Sequence, residues 1–471
     1  MYRFRSIDSI LGKYDELNEQ EIFLQSLERL NDPMEGEKDI YFKGDGIVWR
    51  NLLNHYIKCF EDTVYSSLYL KENEEEIKLL ANIQVLKREY IDIEKQMMTK
   101  VDRKMLEEQE EMLPKIKNRF FSHEFILKLA ENLSKIERPI RKEELLSYLR
   151  IIHPFAFEAI NSVFVTYGIM KKIDVLSENK IKDFINKFKI LYKFSIENDE
   201  KNCEKFFQSL NEVDEQIKLL YICNNSQKKF YRKSILITDE FPKLYLEQLD
   251  KLLYPDWYTA CFMTDYTNSS VWGNYGNNHT GICLKFKAKD NNKIITLYNP
   301  NGRKEDFELK KVNYQNKFIE VDFFKSLGAL PESELQKNWF TDGEGNVSKI
   351  FRNVKNWNDE WKKSHWTSFN KSITTKIEDW KYENEYRIVL PDLLGGDFIE
   401  DNTRKYKYDF NDLEGIIFGI KTSEVNKIKI MRIIKEKCIK ENRKEFKFYQ
   451  AKYSHTTGKI CANKLDILKF S

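Results

Sequence analysis

The stretch "WKYENEYRIVL", residues 380–390, decides how this chain is read. It sets Glu383 and Glu385 two apart at the start of an apolar, β-branched run, with Arg387 two further on. A strand sends residues i, i+2 and i+4 to one side, so a strand here places three charges on one face of a sheet. Such a face is either a wet edge or a site. Other E-x-E pairs occur, at Glu19 and Glu21, Glu74 and Glu76, and Glu108 and Glu110; of these, Glu19 and Glu21 also precede a strand-like run. Lys376 upstream, Trp380 and Tyr382 alongside, and a run long enough to fix its side chains distinguish the pair at 383 and 385.

Working outward, 471 residues with 41% apolar and 14% aromatic side chains suffice for two or three domains with real cores. Lys+Arg 78 against Asp+Glu 75 leaves a formal charge of +3, so no global field favours a polyanion, although a local basic patch is compatible with it. The first twenty residues carry acidic groups and lack the apolar core of a signal peptide. No run reaches the roughly 18 apolar residues of a membrane helix, so the chain reads as cytoplasmic with no membrane partner. Seven scattered cysteines without a C-x-x-C pair argue against a disulfide framework and a thiolate zinc site. The six histidines stand singly and suit structural or surface roles. The phosphate-loop, dinucleotide-fingerprint, H-E-x-x-H and G-x-S-x-G patterns are absent.

Three regions differ in texture. Residues 1–50 are mixed: "YRF" and "EIFLQS" read as strands, "SIDSILGKYDEL" as a helix, and "LNDPMEG" as a loop. Residues 51–250 read as helical, with Ile83, Leu86, Tyr90, Ile93, Met97 and Val101 forming the stripe of a long packed or coiled helix and Pro114 and Pro139 breaking the region. Residues 251–471 return to strands, at "WYTACFMT", "TGICLKF", "KIITLY", "EYRIVL", "LEGIIFGI" and "EFKFYQAKY", with a helix over "SEVNKIKIMRIIKEKCIKE". The economical reading is one α+β core whose first strands precede a large all-α insertion and whose remaining strands follow it.

The segment "CFMTDYTNSSVWGNYGNNHTGICLKF" places Trp272 and Tyr275 at helical spacing beside glycines. Aromatics flanked by glycine can wall a planar ring, or they can anchor a short helix in the core. Together with "MYRFRS", "LQSLERLNDPMEG", "KIEDWKYENEYRIV" and "LEGIIFGIK", this segment resembles the bacterial family called domain of unknown function 2971, over about the first 50 residues and most of the chain after about 255. More remotely that family resembles the ADP-ribosyltransferase fold, a split core of two small sheets around a cleft for NAD. The Ser-Thr-Ser element of one branch of those enzymes is absent here, and the His-and-Tyr pair of the other is not plainly met.

The resemblance implies a polar residue on the first strand, here Arg3 or Arg5, an aromatic element at Trp272 and Tyr275, and a late catalytic glutamate at Glu385, with Glu383 two residues earlier. Cleaving nicotinamide from ribose develops oxocarbenium character, which a fixed carboxylate opposes. Glu385 takes that role, Glu383 orients the nucleophile, and Arg5 or Arg3 clamps the diphosphate, with Arg387 in the same site. Asn31, Asp32 and Glu35 either line the cleft or end the second strand. The implied activity is ADP-ribosyl transfer from NAD to a macromolecule, as in bacterial toxins or anti-phage effectors, or else NAD hydrolysis. An inactive module binding protein or nucleic acid is the alternative class, supported by "NNSQKKFYRKS", where cations alternate with aromatics. A long helix in the middle region would also suit self-association or a regulatory partner.

Overall fold

The structure is a computed structural model that describes residues 1–69, 100–225, 231–354, 359–393 and 400–467. The stripe from Ile83 to Met97 and the centre of "NNSQKKFYRKS" lie outside the described residues. The fold is mixed α and β. Two compact units divide it: residues 1–38, 255–319 and 368–471 form the first, and residues 39–254 and 320–367 the second.

The first unit is built on a nine-stranded sheet in the order β10 (Lys310–Lys311), β14 (Glu385–Pro391), β6 (Trp257–Met263), β1 (Tyr2–Arg5), β7 (Ile282–Phe286), β16 (Leu413–Phe418), β17 (Lys447–Tyr453) and β18 (Ile460–Lys464), with β3 (Gln25–Ser26) paired to β6 off this path. All neighbours are antiparallel except β16 and β17, which run parallel across the crossover helix α12 (Glu424–Lys440). A second sheet takes β2 (Glu21–Phe23), β15 (Lys405–Tyr408), β8 (Ile294–Tyr298) and β9 (Lys304–Glu308) in that order. The alternation of β1 explains its place at the centre. Met1 and Phe4 point to opposite apolar clusters, as the period of two requires. One cluster joins the two sheets through Phe262, Leu284, Ile388, Ile416, Leu297 and Phe307. The other packs Phe4, Met263, Cys283 and Ile417 beneath Trp272 of α10 (Ser269–Asn274).

Two expected elements differ. The helix read over "SIDSILGKYDEL" is two short ones, α1 (Ile7–Leu11) and α2 (Glu16–Glu19), because Gly12 ends the first and Asp15 turns left-handed at φ 45°. Pro114, read as a break, lies inside α4 (Lys100–Phe121). Met112, Ile116 and Phe120 are fully buried on that helix, and their packing outweighs the roughly 3 kcal/mol that an internal proline costs.

In the second unit α3 (Gly46–Tyr69) and α6 (Lys142–Thr166) carry an aromatic core of Tyr56, Phe60, Phe155 and Phe164, with a small sheet of β12 (Ile319–Asp322), β4 (Lys38–Phe42) and β5 (Ile140–Arg141) at its edge. His153 is buried there, its Nδ1 2.7 Å from the Tyr56 hydroxyl and its Nε2 2.7 Å from the Ile237 carbonyl oxygen. A carbonyl only accepts, so Nε2 carries the proton and Nδ1 accepts from Tyr56. This is a structural histidine.

Candidate functional site

The strand that carries Glu385 starts one residue after a break. Residues Glu378–Glu383 form a 3-10 helix, and Asn384 ends it in the left-handed region at φ 46°, its side chain 2.6 Å from the Thr264 hydroxyl. Glu383 therefore precedes β14 and does not share its pleat, whereas Glu385 and Arg387 do point to one face, opposite Met263 and Cys261. A short parallel pair, β11 (Asn313–Tyr314) with β13 (Thr375–Lys376), brings Lys376 in from the side. The Tyr314 hydroxyl accepts the Glu385 backbone N–H at 2.8 Å, which fixes where the strand begins.

These elements close a charged cluster that is almost completely buried. Glu385 and Arg387 have no solvent exposure, and Glu35, Lys376 and Glu383 little. Arg387 meets Glu385 Oε1 through Nε at 3.1 Å and Nη2 at 2.8 Å, pairs with Glu35, and donates from Nη1 to the Ile373 carbonyl at 2.9 Å. Lys376 Nζ lies 2.9 Å from Glu383, 3.4 Å from Glu385 and 3.6 Å from Glu35, and 4.6 Å from the centre of the Trp380 ring. Three carboxylates thus share two cations. Such charges persist in a dry interior only when each finds a partner.

The imbalance appears in the titration of the members. Burial, with Glu385 close by, pushes the Glu383 carboxyl up to about 7 against the pull of Lys376. Burial would raise Glu385 too, but Arg387 and Lys376 outweigh it and hold its carboxyl below the usual range. Burial works against the Lys376 ammonium, yet Glu385, Glu35 and Glu383 keep it protonated far above neutrality. Burial and the nearby carboxylates also raise the Tyr275 phenol well above its ordinary value. Glu383 is the member poised to exchange a proton near neutral pH.

A cavity of about 200 Å³ opens where β1 and β6 part company. The two strands pair only at Tyr2 and Met263; beyond that point β6 takes β3 as its partner, through Thr259 and Tyr258. The gap is walled by Arg3 and Arg5 of β1, by Thr259 to Cys261 of β6, by Arg29, Asn31 and Glu35 of the following loop, and by Tyr275 and Lys376. Gly36, at φ +80° against Leu27, turns the loop back at its base. Glu35 and Lys376 are the cluster members that reach the cavity wall.

The residues singled out from sequence fall in different places. Arg3 is buried, donates to the Cys261 and Phe23 carbonyls at 3.2 and 3.4 Å, and lies over the Phe262 ring. Arg5 is partly exposed and held by Glu16, its Nε 2.7 Å from Oε2. By strand alternation both arginines emerge on the face opposite Glu385, because Tyr2, not Arg3, shares a row with Met263 and Glu385. The cavity meets both faces because it passes between the strands. Trp272 is sealed in the core edge-on to Phe4, its Nε1 donating to the Tyr266 carbonyl at 2.8 Å, so the cavity wall on that side is Tyr275 instead. The Tyr275 hydroxyl donates to Asn31 Oδ1 at 3.3 Å across the opening. Glu383, Glu385 and Arg387 stand behind Glu35 and Lys376. Glu16 and Cys261 were not read from sequence as site residues; a buried acid four residues past a glycine gives no local signal.

Among the described residues no group of His, Cys, Asp and Glu could hold a metal ion, and no helix is long and apolar enough to cross a membrane. No disulfide forms among the seven cysteines. No curated protein and no solved structure matches the chain. Residues 271–388, about a quarter of the chain, match the family described as "Protein of unknown function (DUF2971)", a segment that runs from α10 to β14 and carries Tyr275, Lys376, Glu383, Glu385 and Arg387.

Proposed function

We propose that the protein cleaves NAD in the gap between β1 and β6 and transfers the ADP-ribosyl group to a macromolecule. The observation that carries this reading is one cavity lined by Glu35 and Lys376 together with Arg3 and Arg5. A volume of about 200 Å³ falls below the 300–1,000 Å³ usual for whole ligands, so it suits the nicotinamide riboside end, with the diphosphate at the open rim near Arg5 and Arg29. Glu35 opposes the charge that develops on the ribose, taking the place first given to Glu385, because Glu35 lines the cavity and Glu385 does not. Tyr275 walls the nicotinamide ring. The C–N bond breaks with its electron pair leaving on nicotinamide; the acceptor oxygen or nitrogen bonds the ribose carbon, and its proton goes to the Glu35 carboxylate, the acid that lines the cavity.

The test is to incubate the full chain with NAD labelled in both halves and with protein, RNA and DNA acceptors. Nicotinamide release that falls on the order of a hundredfold in Glu35→Gln supports the reading. Label retained on an acceptor identifies a transferase, and free ADP-ribose a hydrolase. Absence of release together with absence of NAD binding overturns it. A second reading, a cleft that binds without chemistry, draws on one observation: every acid of the cluster has a cation partner. It predicts NAD binding with no nicotinamide release.

A further inference from the structure

The nearly neutral chain conceals a concentrated charge at one end. Residues 421–464 contain 13 Lys and Arg against four Glu, a net +9, whereas the whole chain carries +3, so the remainder carries −6. Much of this excess is displayed by a single element. Helix α12 turns Ile430, Ile434 and Cys438 into the core between the sheets, and the period of 3.6 then sends Lys429, Arg432, Lys435 and Lys440 outward, with Lys444 in the turn that follows. All five are exposed. Elsewhere in this region Lys447 finds Glu414 at 3.8 Å and Lys464 finds Asp466 at 2.5 Å, but no ion pair joins these five to a carboxylate among the described residues.

From this charge asymmetry and geometry we infer that the outer face of α12 is a docking surface for the phosphate backbone of a nucleic acid. From Lys429 to Lys440 the helix rises about 16 Å, the span of roughly five phosphates along one strand. The cations recur every three to five residues on one side, with the exposed Glu436 among them, so they meet a line of phosphates without rearrangement of the fold. An anionic membrane surface fits less well. A helix that lies in a lipid interface commits a broad apolar face to it, and the apolar face of α12 is already spent on the core; the exposed Val425, Ile428 and Ile439 lie among the outward charges. Backbone contacts carry no base readout, so binding is indifferent to sequence and sensitive to salt. This surface is independent of the chemistry assigned to the cavity.

The full chain is titrated against fluorescein-labelled duplex DNA and, separately, RNA of mixed sequence, and anisotropy is read at about 50 and about 200 mM salt. Four phosphate contacts predict an affinity that falls about a hundredfold between the two conditions. Changing Lys429, Arg432, Lys435 and Lys440 to Glu together lowers affinity at low salt at least thirtyfold and flattens the salt dependence. The same charge change on α7 (Glu178–Glu197), at Lys180, Lys182, Lys187 and Lys189, lowers it less than threefold. If the fourfold α12 variant fails to fold, R432E/K435E gives the same effect at about tenfold. The inference is overturned by absence of binding to either nucleic acid at low salt, by equal losses in the α7 and α12 variants, or by binding to phosphatidylserine vesicles but not to nucleic acid. Glu35→Gln binds nucleic acid as the wild type does, which separates this result from that of the NAD assay.

Discussion

Three buried carboxylates on two buried cations leave one negative charge too many, and the molecule resolves this at Glu383. Its folded value of about 7 lies above the ordinary 4.5, so the fold favours the protonated form. The stability linked to that proton is fully present below about 4.5 and is lost as the pH rises through 7. Glu383→Gln supplies a permanent neutral group, and thermal melting at pH 8 should show it stabilised by about 1–2 kcal/mol, with the gain gone at pH 5. Glu385→Gln should do the opposite. It strips Arg387 and Lys376 of a buried counter-charge and should cost about 3 kcal/mol at both pH values. Two glutamates separated by one residue thus respond to the same substitution with opposite signs. A melting experiment in which both variants lose stability equally at pH 8 would show that the proton does not reside on Glu383.

At the scale of elements, β1 is held on its two sides very differently. Toward β7 it pairs along its whole length, from Tyr2 with Lys285 to Arg5 with Ile282; toward β6 it pairs at one residue and then leaves a gap. Gly281, at the start of β7, sets how closely the paired side can approach. A Cβ there would fall inside van der Waals contact with the Arg5 carbonyl and 2.9 Å from that of Gly276. Gly281→Ala should cost about 3 kcal/mol and displace Arg5, seen as a lowered melting temperature and weaker ligand binding at the cavity. The strands that carry these contacts were legible in sequence. β6, β7, β14 and β16 are largely apolar runs bounded by turns, β1 alternates aromatic rings with arginines, and "EYRIVL" showed the shared face of Glu385 and Arg387. β10, β11 and β13 were not, since two-residue strands such as Lys310–Lys311 have no periodicity to read. Nor could the joining of Glu35 to Arg387 be read, because it spans some 350 residues and depends on a loop turned by Gly36.

For the whole molecule, the second unit should respond to acid on its own. His153 and His365 are buried, and burial pushes both down to about 4. Each must gain a proton once unfolded, where its value is near 6.5, so the stability they contribute is full above about 6.5 and is lost as the pH falls toward 4. The full effect is about 3 kcal/mol for each. A melting curve followed from pH 7 to 4.5 should decline steadily, and His153→Gln should decline less steeply over that range; an unchanged slope would refute the assignment. The placement of β1 at the centre of its sheet has one more consequence, for synthesis on the ribosome. Both of its flanking strands are encoded some 250 residues later. At about 5–20 residues per second, the nascent segment waits on the order of tens of seconds with Phe4 uncovered. Translation speed and chaperone occupancy over that interval therefore bear directly on whether the gap between β1 and β6 forms at all.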